Sequence, residues 1–328
     1  MDMAVSRRLA SDVMEAVPKT SFAESVCLPF LQSAQNADSG WGFHPGSQSR
    51  VEATCWSLQA LLGSSRPDIQ ESVARGFQFI RAAQLTDGSW PSSPEEKVGC
   101  WVTSLACWVL LREKNSSKAV AAALNWLCED WPRDSAPWRR FLGRFSSQRR
   151  VSPMNTSYRG WGWTPRTSSW VEPTAFAALA LEQSPPELLP PSASRRQQLA
   201  EKMLYDRMCP GGGWNCGNPM VYGVAGEPLV VPTSWALLAL RKHPQRSENI
   251  ASLDWLEKIL PNVQSAGSLA LARICLQTYG RELPADVPDF DQIYRRNEFL
   301  GSIPTAAWTY LAFNQKKLWL VNANRMAT

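Results

Sequence analysis

Two glutamates stand at matching places in the chain. Glu52 lies in Val51-Glu-Ala-Thr54 and Glu172 in Val171-Glu-Pro-Thr174, each two residues before a threonine that opens an apolar helical stretch. Carboxyls at equivalent helix starts would point toward one end of a shared interior, where a close pair can divide acid and base roles. Burial raises a carboxyl pKa and keeps the group protonated, so that it can donate a proton. A helix N-terminus works against this, because it favours the ionised form. The competing reading gives both glutamates a capping role on first-turn N–H groups.

Other candidates are weaker. Arg139, Arg140, Arg144, Arg149 and Arg150 fall in one short segment with Trp131, Trp138, Phe141 and Phe145. Such a segment can seat on an anionic membrane face, neutralise a diphosphate through arginine forks, or be a solvated insertion. Asp38 and Asp87 read as turn formers. Asp286, Asp289 and Asp291 begin a helix and lack the Asp-Asp-x-x-Asp pattern of a diphosphate-bound Mg2+ site. Cys209 and Cys216 are spaced too widely for an ordinary zinc pair. With 2 His in the chain, no metal and no cofactor are expected.

Composition narrows the class. The net charge of +5 is too small for a nucleic-acid partner, and 44% hydrophobic with 19% charged residues describes a globular core. Charges at Asp2, Arg7, Arg8, Asp12, Glu15 and Lys19 leave no room for a signal-peptide apolar run, and no run approaches a membrane span. The 8 Cys lie mostly in apolar helical stretches, which suits reduced thiols and a cytoplasmic location.

The 16 Trp need a repeated job. Several share a phrase: Gln35-Asn-Ala-Asp-Ser-Gly-Trp41, Gln84-Leu-Thr-Asp-Gly-Ser-Trp90, and the degenerate Arg159-Gly-Trp-Gly-Trp163 and Gly211-Gly-Gly-Trp214. Its glycines permit a tight turn, its Trp clads that turn, and its Gln bonds free helix-end groups. Apolar helices are predicted at Val51–Leu62, Cys100–Leu111, Trp170–Leu181, Val231–Leu240, Ala266–Leu276 and Ile303–Phe313. Thr54, Thr103, Thr174, Thr233, Ser268 and Thr305 anchor their starts, each hydroxyl placed to accept a helix-start N–H. Before each comes an amphipathic helix: Phe22–Gln35, Ile69–Gln84, Ser117–Asp130, Ala193–Met208, Ile250–Leu260 and Asp286–Phe299. Six amphipathic-then-buried pairs predict an inner ring of six helices inside an outer ring of six. The predicted boundaries are an N-terminal extension at 1–21, the ring at 22–314 with an insertion at 131–157, and a tail at 315–328.

The phrase at Gln84–Trp90 resembles the QW motif of squalene and oxidosqualene cyclases. Asp-Gly-type turns before apolar helices also resemble the β subunits of protein prenyltransferases. This resemblance to the terpenoid cyclase/protein prenyltransferase superfamily covers about residues 22–314 and implies an all-α (α/α)6 toroid. It implies an isoprenoid or other apolar small molecule in a cavity lined by Trp56, Trp101, Trp108, Trp170, Phe176, Trp235, Trp308 and Tyr310. Aromatic faces bind apolar chains and stabilise carbocations. Aligned on Thr174-Ala175, Glu172 falls where the squalene cyclases carry their middle, proton-donating Asp; Trp170 and Pro173 replace the other two. The prenyltransferase zinc positions hold Val231 and Thr233, or Glu172 and Thr174, so no zinc site carries over. The resemblance therefore implies protonation-initiated cyclisation with Glu172 as acid, and Glu52, at the equivalent place in this chain, is the second catalytic candidate. Two alternatives stay open. One is a prenyl-chain or prenyl-diphosphate transferase or binding subunit that needs a partner chain. The other is a non-catalytic toroid acting as a protein-interaction module. Squalene cyclases have two toroids and this chain has length for one, so homo- or hetero-oligomers and peripheral membrane contact also stay open.

Overall fold

A computed structural model describes residues 22–64, 66–130 and 154–314. The expected extension at 1–21, most of the insertion with its five arginines (Arg139, Arg140, Arg144, Arg149, Arg150), and the tail at 315–328 lie outside the described residues.

Twelve α-helices form among the described residues. The outer ones are α1 (Leu28–Ser33, preceded by a π turn at Ala23–Cys27), α3 (Pro67–Ala82), α5 (Ser117–Glu129), α7 (Ala193–Asp206), α9 (Ser247–Ile259) and α11 (Phe290–Asn297). The inner ones are α2 (Val51–Leu61), α4 (Val102–Leu110), α6 (Val171–Gln183), α8 (Val230–Ala239), α10 (Ala266–Thr278) and α12 (Ile303–Phe313). Every residue of α4 is buried, and every residue of α2 except Glu52. A helix without a wet face needs neighbours on all sides. It gets them by closure: α2 packs on α4, α4 on α6, α6 on α8, α8 on α10, α10 on α12, and α12 back on α2. The fold is the expected helical toroid. The outer helices bury single stripes, such as Ile69, Val73, Phe77 and Ile80 of α3.

The hairpins differ from the sequence pairing. Outer helices pack mainly on the inner helix before them: α3 on α2, α5 on α4, α7 on α6 and α9 on α8. The inner-to-outer links are mostly short, whereas the outer-to-inner links carry the Trp phrases. The first outer helix, α1, closes the ring by packing on α12 as well as α2. Among the described residues an unpredicted two-stranded antiparallel hairpin (Met220–Val221 with Val224–Ala225) occurs in the α7–α8 connection.

Each Trp phrase is a joint. Trp90 Nε1 donates to Ile80 O at 2.6 Å, tying the turn to the end of α3. Its backbone N–H donates to Thr103 Oγ1 at 2.9 Å, which fixes the start of α4. The same backbone bond joins Trp41 to Thr54, Trp161 to Thr174 and Trp214 to Thr233. The anchor hydroxyls thus accept from the preceding Trp in these four repeats and not from their own helices. Gln84 Nε2 reaches Gly88 O at 3.0 Å and Ala119 O at 3.1 Å, bridging its turn to the next outer helix. Gln35 does the same with Ser39 O and Ser72 O. The glutamines therefore bond carbonyls of their own turns and of the next outer helix, not free helix-end groups. Gly88 sits at φ +90°, where a Cβ would meet the Ala122 backbone at 2.8 Å.

The inner-helix starts share a rim. Val51 N donates to Ser92 O, Trp101 N to Trp163 O, Val171 N to Cys216 O, and Ile303 N to Phe43 O. Each bond links one inner-helix start to the loop before another.

Candidate functional site

Glu52 and Glu172 project from the first turns of α2 and α6. The N-cap residues of these helices are Arg50 and Trp170, and neither makes a side-chain cap. Burial pushes the Glu172 carboxyl up to about 7, with no hydrogen bond opposing it. Glu52 is likewise pushed up to about 7, mainly by burial, with the nearby Glu172 charge adding to the rise. The Trp56 side chain, one helical turn along α2, pulls the other way by favouring the ionised form of Glu52. The Glu172 charge therefore reaches Glu52, although α4 separates their helices.

Beneath them lies an aromatic floor. Residues four apart share a helix face, so Trp56 lies under Glu52 and Phe176 under Glu172. Trp56 stacks on Trp235 at 5.4 Å between ring centroids, from the opposite side of the ring. Its edge contacts reach Trp308 at 5.5 Å, Phe176 at 6.1 Å and Trp108 at 6.4 Å. Phe176 meets Trp235 at 4.8 Å. Rings from α2, α4, α6, α8 and α12 thus meet at the axis. At this depth the interior is filled, where the sequence suggested a deep cavity. Trp108 Nε1 anchors one side by donating to Gln183 Oε1 at 2.9 Å.

Above the floor, Trp101 stacks on Phe176 at 5.3 Å and meets Trp163 edge-on at 5.0 Å. Both Trp101 and Trp163 are partly exposed, as are the two carboxyls. These four side chains stand at the inner-helix-start end of the ring.

Two of the eight expected aromatics stand elsewhere. Tyr310 is fully buried with Glu24 and Cys27 beside it, on the side of α12 that meets the first outer helix. Trp170 is 38% exposed and lines a rim cavity of about 580 Å3 with Met154, Arg207, Cys216 and Val221, where burial and the nearby Glu172 charge raise the Cys216 thiol. Trp163 was missed. Its signal was a spacing: thirteen residues separate Trp41 from Thr54, Trp90 from Thr103 and Trp161 from Thr174. Trp161 therefore fills the structural slot and leaves Trp163 over. Among the described residues no group of three His, Cys, Asp or Glu could hold a metal ion, and no helix is long and apolar enough to cross a membrane.

No family model matches the chain. One stretch is 36% identical over 83 residues to human lanosterol synthase, covering 22% of this chain and 11% of that protein. Another match, 36% over 67 residues, is to drimenyl diphosphate synthase of Streptantibioticus cattleyicolor, covering 20% of this chain and 12% of that protein. The matches thus span about a tenth of each curated relative. The fold of the type II terpene cyclase MstE from Scytonema superposes with a TM-score of 0.56 at 14% identity, over 90% of this chain and 98% of that one. An α-1,6-mannanase of Salegentibacter superposes nearly as well, with a TM-score of 0.55 at 10% identity, over 89% and 98%. The local sequence likeness to these two synthases, together with the ring shared with a type II terpene cyclase, supports a terpene cyclase-like superfamily. The mannanase shows that the ring alone does not choose a chemistry.

Proposed function

We propose that the protein is a terpene cyclase-like enzyme that protonates an isoprenoid held in a bowl over the aromatic floor, bordered by Glu52, Glu172, Trp101 and Trp163. The observation that carries this reading is the Glu172 carboxyl. It is raised to about 7 by burial, has no opposing hydrogen bond, and stands one turn above Phe176.

Glu172 supplies its proton to a terminal alkene or epoxide of the bound chain. The positive charge that forms on carbon lies against the faces of Trp101, Trp163 and Phe176, whose quadrupoles favour a cation. Internal alkenes attack in turn and close rings. A proton leaves the final cation to Glu52, the carboxyl whose charged form Trp56 favours. Transfer back to Glu172 through water restores the acid. Atoms balance, since one proton enters and one leaves.

The likeness to a drimenyl diphosphate synthase and to a type II terpene cyclase fold supports this class of reaction. The test is incubation of the purified protein with linear polyprenyl alcohols, diphosphates and epoxides in D2O, followed by mass spectrometry. Protonation-initiated cyclisation places one solvent deuterium in each cyclic product. Glu172→Gln should abolish product while leaving the fold intact, because Gln keeps the shape and lacks the acidic proton. Cyclic product at the native rate from Glu172→Gln would sink the assignment.

A further inference from the structure

The aromatic floor fills the ring axis, but open volume remains beside the start of α6. The rim cavity of about 580 Å3 is walled on one side by Ser168, Ser169 and Trp170, which lead into α6. Asn215, Cys216 and Gly217 of the α7–α8 connection form the facing wall. The two walls meet at the residue next to Glu172. Val171 N donates to Cys216 O at 3.2 Å. A Cβ on Gly217 would stand 3.6 Å from Ser169 O and 3.8 Å from Val171 N. The Cys216 thiol, raised first by burial, also feels the Glu172 charge. The volume falls in the range of small-molecule sites, about 300–1,000 Å3.

The lining selects a kind of ligand. Trp170 is 38% exposed, yet its backbone is pinned, its N–H donating to Trp161 O at 2.9 Å. A partly exposed indole on a fixed backbone is a platform for a flat ring. Met154 and Val221 add apolar wall. Asn215 is spent on its own loop, accepting from Gly217 N and Asn218 N and donating to Asn218 O. Thr156 and Ser168 bring uncharged hydroxyls. Among the described residues the wall carries one cation, Arg207, whose side chain is 1% exposed. Its guanidinium donates to Asp206 Oδ2 at 2.7 Å, so its charge is already balanced. An anionic ligand group buried here would find no surplus positive charge, which is costly.

We propose that this cavity seats an uncharged aromatic head group, of the prenylated hydroquinone class, and disfavours acidic and diphosphate heads. The ring lies on Trp170, its hydroxyls bond Thr156 and Ser168, and the isoprenoid tail crosses the start of α6 toward Glu172. The inference rests on the cyclase reading and adds to it which head group the substrate carries and what recognises it.

The test is isothermal titration of the full Glu172→Gln chain at pH 7, where no turnover disturbs the binding signal. The probes share one tail: geranylhydroquinone, geranyl diphosphate and a geranylated hydroxybenzoic acid. The hydroquinone should bind about tenfold or more tighter than either anion. Adding Trp170→Leu should weaken hydroquinone binding about tenfold, and Trp170→Phe, which keeps a ring, much less. Val221→Trp, placed on the β hairpin, should fill the cavity and abolish binding with an unchanged circular dichroism spectrum. Tighter binding of the diphosphate or the acid overturns the proposal, as does equal hydroquinone binding with Trp170 and with Leu in its place. Hydroquinone binding as expected, with no cyclic product from the native chain, would keep the seat and remove the cyclase reading. Cyclic products from linear polyprenyl alcohols, with no preference for a ring-bearing head, would do the reverse.

Discussion

The backbone N–H of Trp90 donates to the hydroxyl of Thr103 at 2.9 Å, across thirteen residues and a change of ring. Both groups are fully buried, and Thr103 returns a longer bond to Trp90 O at 3.4 Å. The pair fixes where an inner helix begins relative to the outer helix before it. Thr103→Val keeps the volume but leaves the Trp90 N–H buried without an acceptor. The expected cost is about 1–3 kcal/mol, measured by urea denaturation. Thr103→Ser, which keeps the acceptor, should recover most of it.

The turn glycines separate strain from collision. Gly88 has φ +90° and a Cβ there would meet the Ala122 carbonyl carbon at 2.8 Å, whereas Gly211 has φ +88° with nothing within 4 Å. Both alanine variants bear left-handed strain, of about 1 kcal/mol or more. Gly88→Ala should lose clearly more stability than Gly211→Ala, because its turn must also back away from α5. Equal losses would show that the turn does not bear on that helix.

The raised carboxyls set a pH dependence of stability. Glu52 and Glu172 titrate near 7 in the fold against an ordinary value of 4.5. Between those values the folded state keeps protons that the unfolded chain has released. The stabilisation is whole below 4.5 and is lost as pH rises to about 7. The double variant Glu52→Gln/Glu172→Gln should therefore be more stable than the native chain at about pH 8, by on the order of 2 kcal/mol per site, with the gap closing at about pH 4. Thermal melts across that range check it. The same titration predicts that turnover falls as pH rises through about 7, since Glu172 must carry its proton.

Trp235 supports the floor from α8. Removing its ring in Trp235→Ala takes away contacts with both Trp56 and Phe176. The expected cost is about 3–5 kcal/mol. Water entering beneath the carboxyls should also lower their pKa toward the ordinary value, shifting the pH profile of melting downward. A large void with an unshifted profile would mean that the floor does not control the acidity above it.

Fold and site were legible to different depths. The sixfold anchor, the helices apolar on every face and the repeated Trp phrase needed only local rules, because a helix without a polar side can survive only inside a ring of others. The equivalence of Glu52 and Glu172 was visible in the same way, as two carboxyls two residues before equivalent threonines. Tertiary structure decided the rest. Whether Glu172 caps its helix or faces the bowl depends on side-chain direction and on how much water the neighbouring helices exclude, and neither is encoded within one helix. Trp56 and Trp235 lie far apart in the chain and touch because closure brings opposite inner helices to one axis. Trp163 faces Trp101 because Trp161 occupies the joint beside it. Tyr310, equally aromatic and equally helical, is lost to the bowl because its turn of α12 points at α1, which packs there to close the ring.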